Sequence, residues 1–212
     1  MDALKLKVCG MRDPENIREV AGLNPDFIGF IFYSGSPRYA GEMVNADSVS
    51  FIPESIKKTG VFVDEDYETI IKIAGEINLD FIQLHGKESP ELCIRLREEG
   101  YGIFKAFSVG EGFRYRDMEP YAGSVDYFLF DTKGMLHGGS GMSFDWGILN
   151  DYPFDVPFLL SGGLSLDNID QVKMIQSKYL AGLDVNSRFE TSPGIKDIGK
   201  LRQLKDIILQ LK

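Results

Sequence analysis

Eight strand-length apolar segments recur along the chain with helical or loop-rich stretches between them, and this alternation limits the possible folds most sharply. The segments read LKLKVCG (4–10), DFIGFIF (26–32), TGVFVD (59–64), FIQLHG (81–86), GIFKAFSV (102–109), DYFLFDT (126–132), PFLLSGG (157–163) and YLAGLDVNS (179–187). Each is rich in Val, Ile, Leu or Phe with little polar alternation, the pattern of strands covered on both faces. Parallel strands need long crossovers, and the stretches between carry helix signals. In DPENIREVAGL, Asp13 is an N-cap with Pro14 at the first helical position. DEDYETIIKIAGEIN places Ile70, Ile73, Ala74 and Ile77 on one face. SPELCIRLREEG starts at a capping Ser89 and ends at Gly100, a C′ residue. LDNIDQVKMIQ predicts a helix after strand seven, and IKDIGKLRQLKDIILQLK closes the chain with a stripe of Ile198, Leu201, Leu204 and Ile208. GEGFRYRDMEPYAG, between strands five and six, carries the fewest helix signals.

No linker, charge block or low-complexity tract interrupts this alternation, so residues 1–212 read as one domain. Eight β-then-α units at this length predict an α/β fold, a single-domain (β/α)8 TIM barrel with short loops. A doubly wound open sheet is the structural alternative, but no GxGxxG follows the first strand. A net charge of −9 leaves no basic stripe for nucleic acid, and an anionic substrate would need a local cluster of donors. Two cysteines make no disulfide framework, and the first residues show neither a cleavage signature nor an apolar anchor, so a cytoplasmic protein without membrane contact is expected.

In such a barrel the functional residues lie where strands end and in the loops that follow. Those positions hold Cys9, Arg38, Asp64, His85, Ser108, Asp131, Gly162, Gly163, Asp184 and Ser187. Cys9 can act as a thiolate base or nucleophile, or serve as a small buried hydrophobe. Cys93, inside a helix among apolar neighbours, fits only the second description. Arg38 can pair bidentately with a carboxylate or remain a surface arginine. Asp131 ends an intensely apolar strand, where a carboxyl group can have a raised pKa and act as a general acid. The alternative is an aspartate that anchors a loop. KGMLHGGSGMSFDW follows, with Gly138, Gly139 and Gly141 able to move and Phe144 and Trp146 to anchor the far end. Gly162-Gly163 ahead of a helix, with DVNSR after strand eight (including Asn186), matches the usual phosphate site of barrels. Only His85 and His137 are histidines, and the cysteines lack ligand spacing, so neither a metal nor another cofactor is expected. No GxSxG elbow supports acyl transfer. A thiol, a carboxyl group, an arginine and a phosphate pocket suit proton transfer on a phosphorylated sugar.

KVCGMRDPENI, DFIGFIFYSGSPRY, GVFVDE, FIQLHGKESPE, DTKGMLHGGSGMSFDW, PFLLSGGLSLDNI and LDVNSRFETSPGIKD resemble, in order and spacing, the phosphoribosylanthranilate isomerase family. The resemblance covers nearly the whole chain. It implies a barrel of the phosphate-binding type, the third pathway-specific step of tryptophan biosynthesis, and an Amadori rearrangement of N-(5′-phosphoribosyl)anthranilate. It makes Asp131 the general acid and Cys9 the general base. Arg38 would hold the anthranilate carboxylate, and Gly162, Gly163, Asn186 and Ser187 the phosphate. Asp184 lies where the family contacts substrate. Lys7 is expected to help ionise Cys9. The protein is expected to act as a monomer on its small-molecule substrate. One departure stands out: SRFE follows strand eight where the family usually reads Ser-Gly-Val-Glu, so Arg188 replaces a glycine. Three other readings are available. Indole-3-glycerol-phosphate synthase would need lysines and a glutamate at strand ends, whereas strands one, two and four end in Cys9, Phe32 and His85. The histidine-pathway isomerase would use an aspartate in place of Cys9. A barrel that only binds its ligand would need neither Cys9 nor Asp131.

Overall fold

The eight apolar segments form eight parallel strands that close on themselves. The computed structural model describes residues 4–110, 112–132 and 146–211. The strands are β1 (Lys5–Val8), β2 (Phe27–Ile31), β3 (Lys57–Phe62), β4 (Phe81–Leu84), β5 (Gly102–Val109), β6 (Tyr127–Thr132), β7 (Phe158–Ser161) and β8 (Leu180–Val185). They pair in sequence order, and β8 returns to β1 with Lys7 opposite Asp184. A closed barrel has no exposed edge, which satisfies every strand in the ring. A small antiparallel hairpin, β9 (Glu190–Ser192) and β10 (Ile195–Lys196), follows β8.

Helices form where the caps are strongest. Asp13 accepts from the Asn16 amide at the start of α1 (Pro14–Ala21), with Pro14 in the first turn. After β2 come only a 3-10 turn at Gly41–Met43 and a single α-helical turn, α2 (Ala46–Val49). Asp66 caps α3 (Tyr67–Glu76), Ser89 caps α4 (Pro90–Glu98) and Asp197 caps α5 (Ile198–Gln210). Gly100, at φ +95°, takes the left-handed conformation expected just past α4.

Elsewhere the regular β-then-α expectation needs correction. The stretch after β7 winds as a 3-10 helix at Ile169–Met174, and that after β5 as two short 3-10 turns. Local polar bonds compete there: Asn168 accepts from the Ser165 amide and donates to the Gly163 carbonyl. Pro120 similarly interrupts the run after β5.

The core has two parts. Most buried apolar side chains lie between the outer face of the barrel and the helices. Inside the barrel, Phe27, Phe81, Phe104 and Tyr127 pack with ring centroids 5.0–6.2 Å apart, joined by Leu159. Phe27, Phe81 and Tyr127 open their strands, so this aromatic plug closes the N-terminal end. The polar inward positions are thereby left to the C-terminal mouth. No helix among the described residues is long and apolar enough to cross a membrane.

Candidate active site

Alternation along β1 turns Lys7 and Cys9 into the barrel. Lys7 is fully buried and its Nζ donates to Asp184 Oδ1 at 2.8 Å, while Ser161 donates to Oδ2 at 3.0 Å. Two glycines make room for this group. A Cβ on Gly29 would lie 2.9 Å from Cys9 Sγ and 3.3 Å from Lys7 Nζ. Gly10, at φ +78°, turns the chain beneath Asn186 and Arg38, where a Cβ would meet Asn186 Oδ1 at 2.6 Å.

Cys9 is buried, and burial pushes its thiol above the ordinary cysteine range. Lys7 and Lys196 pull it down and Asp184 pushes it up, but desolvation prevails. Lys7 thus favours the thiolate, as expected, but its help is outweighed by burial and the thiol does not fall below an ordinary cysteine. Desolvation opposes the charge on Lys7 as well, yet Asp184 and Cys9 together raise its pKa.

A second polar cluster stands behind the thiol. Lys196 Nζ donates to Asn186 Oδ1 at 2.7 Å and to Glu190 Oε1 at 2.6 Å. Arg38 closes on the same carboxylate, with Nε 2.9 Å from Oε1 and Nη2 2.6 Å from Oε2. Burial opposes the Glu190 charge, but these two cations hold its pKa below the usual glutamate value. Burial also lowers the Lys196 pKa, against the pull of Glu190. The structure thus gives Arg38 a partner other than the substrate carboxylate that the resemblance implies.

A cavity of about 300 Å³ opens at the C-terminal mouth. Cys9 and Asp184 line one side and Asp131 another; β6 lies three strands from β1 around the ring. His85 Nε2 is 3.2 Å from Asp131 Oδ2. At the far end lie Gly162 and Gly163, both at positive φ, with Asn186, Ser187 and Arg188. The helix expected after the glycines is a 3-10 helix that begins only at Ile169. Asp64 and Ser108 do not line this cavity. Asp64 accepts from the Lys87 amide and ties two loops together, and Ser108 faces solvent. Cys93 is buried away from the cavity, its thiol pushed up to about 11 by burial. His137, Gly138, Gly139, Gly141 and Phe144 lie outside the described residues. Among the described residues no three His, Cys, Asp or Glu group to hold a metal.

Sequence reading passed over Gln83, Ser161, Glu190 and Lys196. Gln83 was within reach, since it stands two residues before His85 and so shares its face of β4. Glu190 and Lys196 carried no comparable signal, because their placement depends on how the hairpin folds back.

Comparison with known proteins places the chain in a family. Residues 6–206 match the family model described as N-(5′-phosphoribosyl)anthranilate (PRA) isomerase. The N-(5′-phosphoribosyl)anthranilate isomerase of Parabacteroides distasonis is 46% identical over 208 residues, spanning 96% of this chain and 93% of that protein. The chain belongs to the phosphoribosylanthranilate isomerase family. The isomerase of Phocaeicola vulgatus is 43% identical, with 91% of each chain covered. The Thermus thermophilus isomerase structure superimposes with a TM-score of 0.82 at 26% identity, covering 99% of this chain and 100% of that one. A phosphoribosylanthranilate isomerase solved in complex with reduced 1-(o-carboxyphenylamino)-1-deoxyribulose 5-phosphate superimposes with a TM-score of 0.78 at 28% identity, covering 98% and 99%.

Proposed function

We propose that this chain isomerises N-(5′-phosphoribosyl)anthranilate to 1-(2-carboxyphenylamino)-1-deoxyribulose 5-phosphate in tryptophan biosynthesis, with Asp131 as acid and Cys9 as base. The observation that carries this reading is a thiol and a carboxyl group on separate walls of one cavity, with a glycine-rich end. Asp131 gives its proton to the furanose ring oxygen. The C1–O bond breaks with its electrons going to oxygen, and the nitrogen lone pair forms the protonated Schiff base. Cys9, as thiolate, then removes the proton from C2, and those electrons make the enolamine. Ketonisation moves a proton from the enol oxygen to C1. The isomerisation is neutral overall, so the thiol must lose the proton it took and Asp131 regain the one it gave.

The phosphate is proposed to sit at Gly162, Gly163, Asn186 and Ser187, with Asp184 on the sugar side. Arg188 is the one cationic residue lining the cavity among the described residues. It is proposed to add a charge contact that a glycine could not. Arg38 would reach the anthranilate carboxylate only by sharing or leaving Glu190. The enzyme is proposed to work as a cytoplasmic monomer.

The test follows the loss of anthranilate-type fluorescence as freshly generated substrate turns over. Wild type and Cys93→Ala are expected to be active. Cys9→Ala and Asp131→Ala should each lose roughly 10²–10⁴-fold in kcat. A wild type that binds a product analogue without turning substrate over would favour the ligand-binding barrel. Arg188→Gly should raise KM with kcat unchanged, and an unmoved KM removes Arg188 from the phosphate site.

A further inference from the structure

The acid does not stand alone. Gln83 lies on β4 and His85 follows just past the strand's end, two residues on, so both point to the barrel interior. Gln83 is buried, at 1% exposure, and its Nε2 lies 2.8 Å from His85 Nδ1. His85 Nε2 in turn lies 3.2 Å from Asp131 Oδ2. Asp131 lines the cavity, and its Oδ1 has no partner among the described residues. An amide nitrogen only donates, so His85 Nδ1 must accept from Gln83. A neutral imidazole then carries its single hydrogen on Nε2, the atom that faces Asp131.

We infer that His85 is the positioning residue of the acid: fixed by Gln83 through Nδ1, it holds Asp131 by Oδ2 and leaves Oδ1 to meet the ring oxygen. This rests on the reading of Asp131 as the acid. When the proton passes from Oδ1 to the substrate, no other bond is made or broken at the pair. The carboxylate that remains keeps the Nε2–H hydrogen bond, which becomes charge-assisted at that moment. A side chain free to rotate about its own χ angles would offer Oδ1 in many directions, and misplacement by about 1 Å can cost about 100-fold in rate.

The chain has only two histidines, which makes the inference directly measurable. In protein with ¹⁵N-labelled histidine at alkaline pH, the His85 signals are assigned by comparison with His137→Gln. The expected spectrum shows Nε2 protonated and Nδ1 bare. Gln83→Leu should mix the tautomers, and Asp131→Asn should shift Nε2. A ring protonated on Nδ1 in the wild type overturns the inference. In the kinetic arm, His85→Leu should lose about 100-fold in kcat with KM held within about threefold. His85→Gln, whose amide can still donate, should recover part of that loss. Equal losses in His85→Leu and His85→Gln, or a loss carried by KM, also overturn it. If Asp131→Ala itself keeps full activity, the acid assignment fails. If Asp131→Ala is inactive while His85→Leu keeps wild-type kcat, only the role of His85 falls.

Discussion

At the scale of the residue, the ionisation of Cys9 sets when the site can work. Burial is the largest influence and favours the thiol; Lys7 and Lys196 favour the thiolate, and Asp184 opposes it. With burial prevailing, the group that must be a base rests protonated near neutral pH. The kcat/KM profile should therefore climb on the alkaline side, through a pKa above that of an ordinary cysteine. Lys7→Met removes a cation that lowers the pKa and leaves Asp184, which raises it. The alkaline limb should move further up, and alkylation of Cys9 by iodoacetamide at fixed pH should slow. Cys93 would not obscure the reading, since its own thiol is pushed to about 11 and is fully buried. A limb that stays where it was in Lys7→Met would show that Lys7 serves only Asp184.

At the scale of the element, β1 and β2 are fitted to one another at the thiol. Gly29 faces Cys9 across the pair, and a methyl group there would sit against Sγ, the Cys9 Cα and Lys7 Nζ. Gly29→Ala should cost about 1–3 kcal/mol by overpacking, read as a lower urea midpoint at unchanged m. It should also reduce kcat, because the displaced atom is the base itself; full activity would mean the strands separate without moving the thiol. Much of this level was legible in advance. Seven of the eight strands fall within the expected segments and β3 starts two residues early, at Lys57, because residues buried on both faces leave continuous apolar runs. The helices begin at Asp13-Pro14 and Ser89-Pro90, because a capping side chain and a preset φ are local properties of the chain. The 3-10 winding after β7 was not legible, since helical periodicity survives where side-chain bonds divert the backbone, whereas the stretch after β5 already carried few helix signals. Nor was the hairpin of β9 and β10, although Pro193-Gly194, with Gly194 at φ +86°, is a turn signal. At the site, Cys9 and Asp131 were visible as strand ends, while the partner of Arg38 was not. Glu190 comes to it from 152 residues away in sequence, and no local pattern records such a meeting.

At the scale of the whole molecule, that meeting ties the last part of the chain to the first half of the barrel. Glu190, 4% exposed in its side chain, lies between Arg38 after β2 and Lys196 on the closing hairpin. Burial would raise its pKa, but the two cations outweigh burial and hold it down. A carboxyl group held lower in the folded state than in the unfolded one stabilises the fold above its unfolded pKa. That contribution is lost as pH falls through the folded pKa. For Glu190 the window lies below about 4.3, the ordinary glutamate value. Protonating it would leave Lys196 and Arg38 close together with no neutralising charge, and a buried ion set broken at one partner is costly. Glu190→Gln brings that state to neutral pH. The variant should be clearly less stable than wild type at pH 7 in urea titrations. Its stability should then fall less steeply as the pH drops below about 4.3, since one proton fewer is taken up on unfolding in that range. The difference between the two proteins should narrow as the wild type is acidified into the state the variant already occupies. Parallel stability curves over that window would show that Glu190 keeps an ordinary pKa. The hairpin would then be held by packing instead of charge.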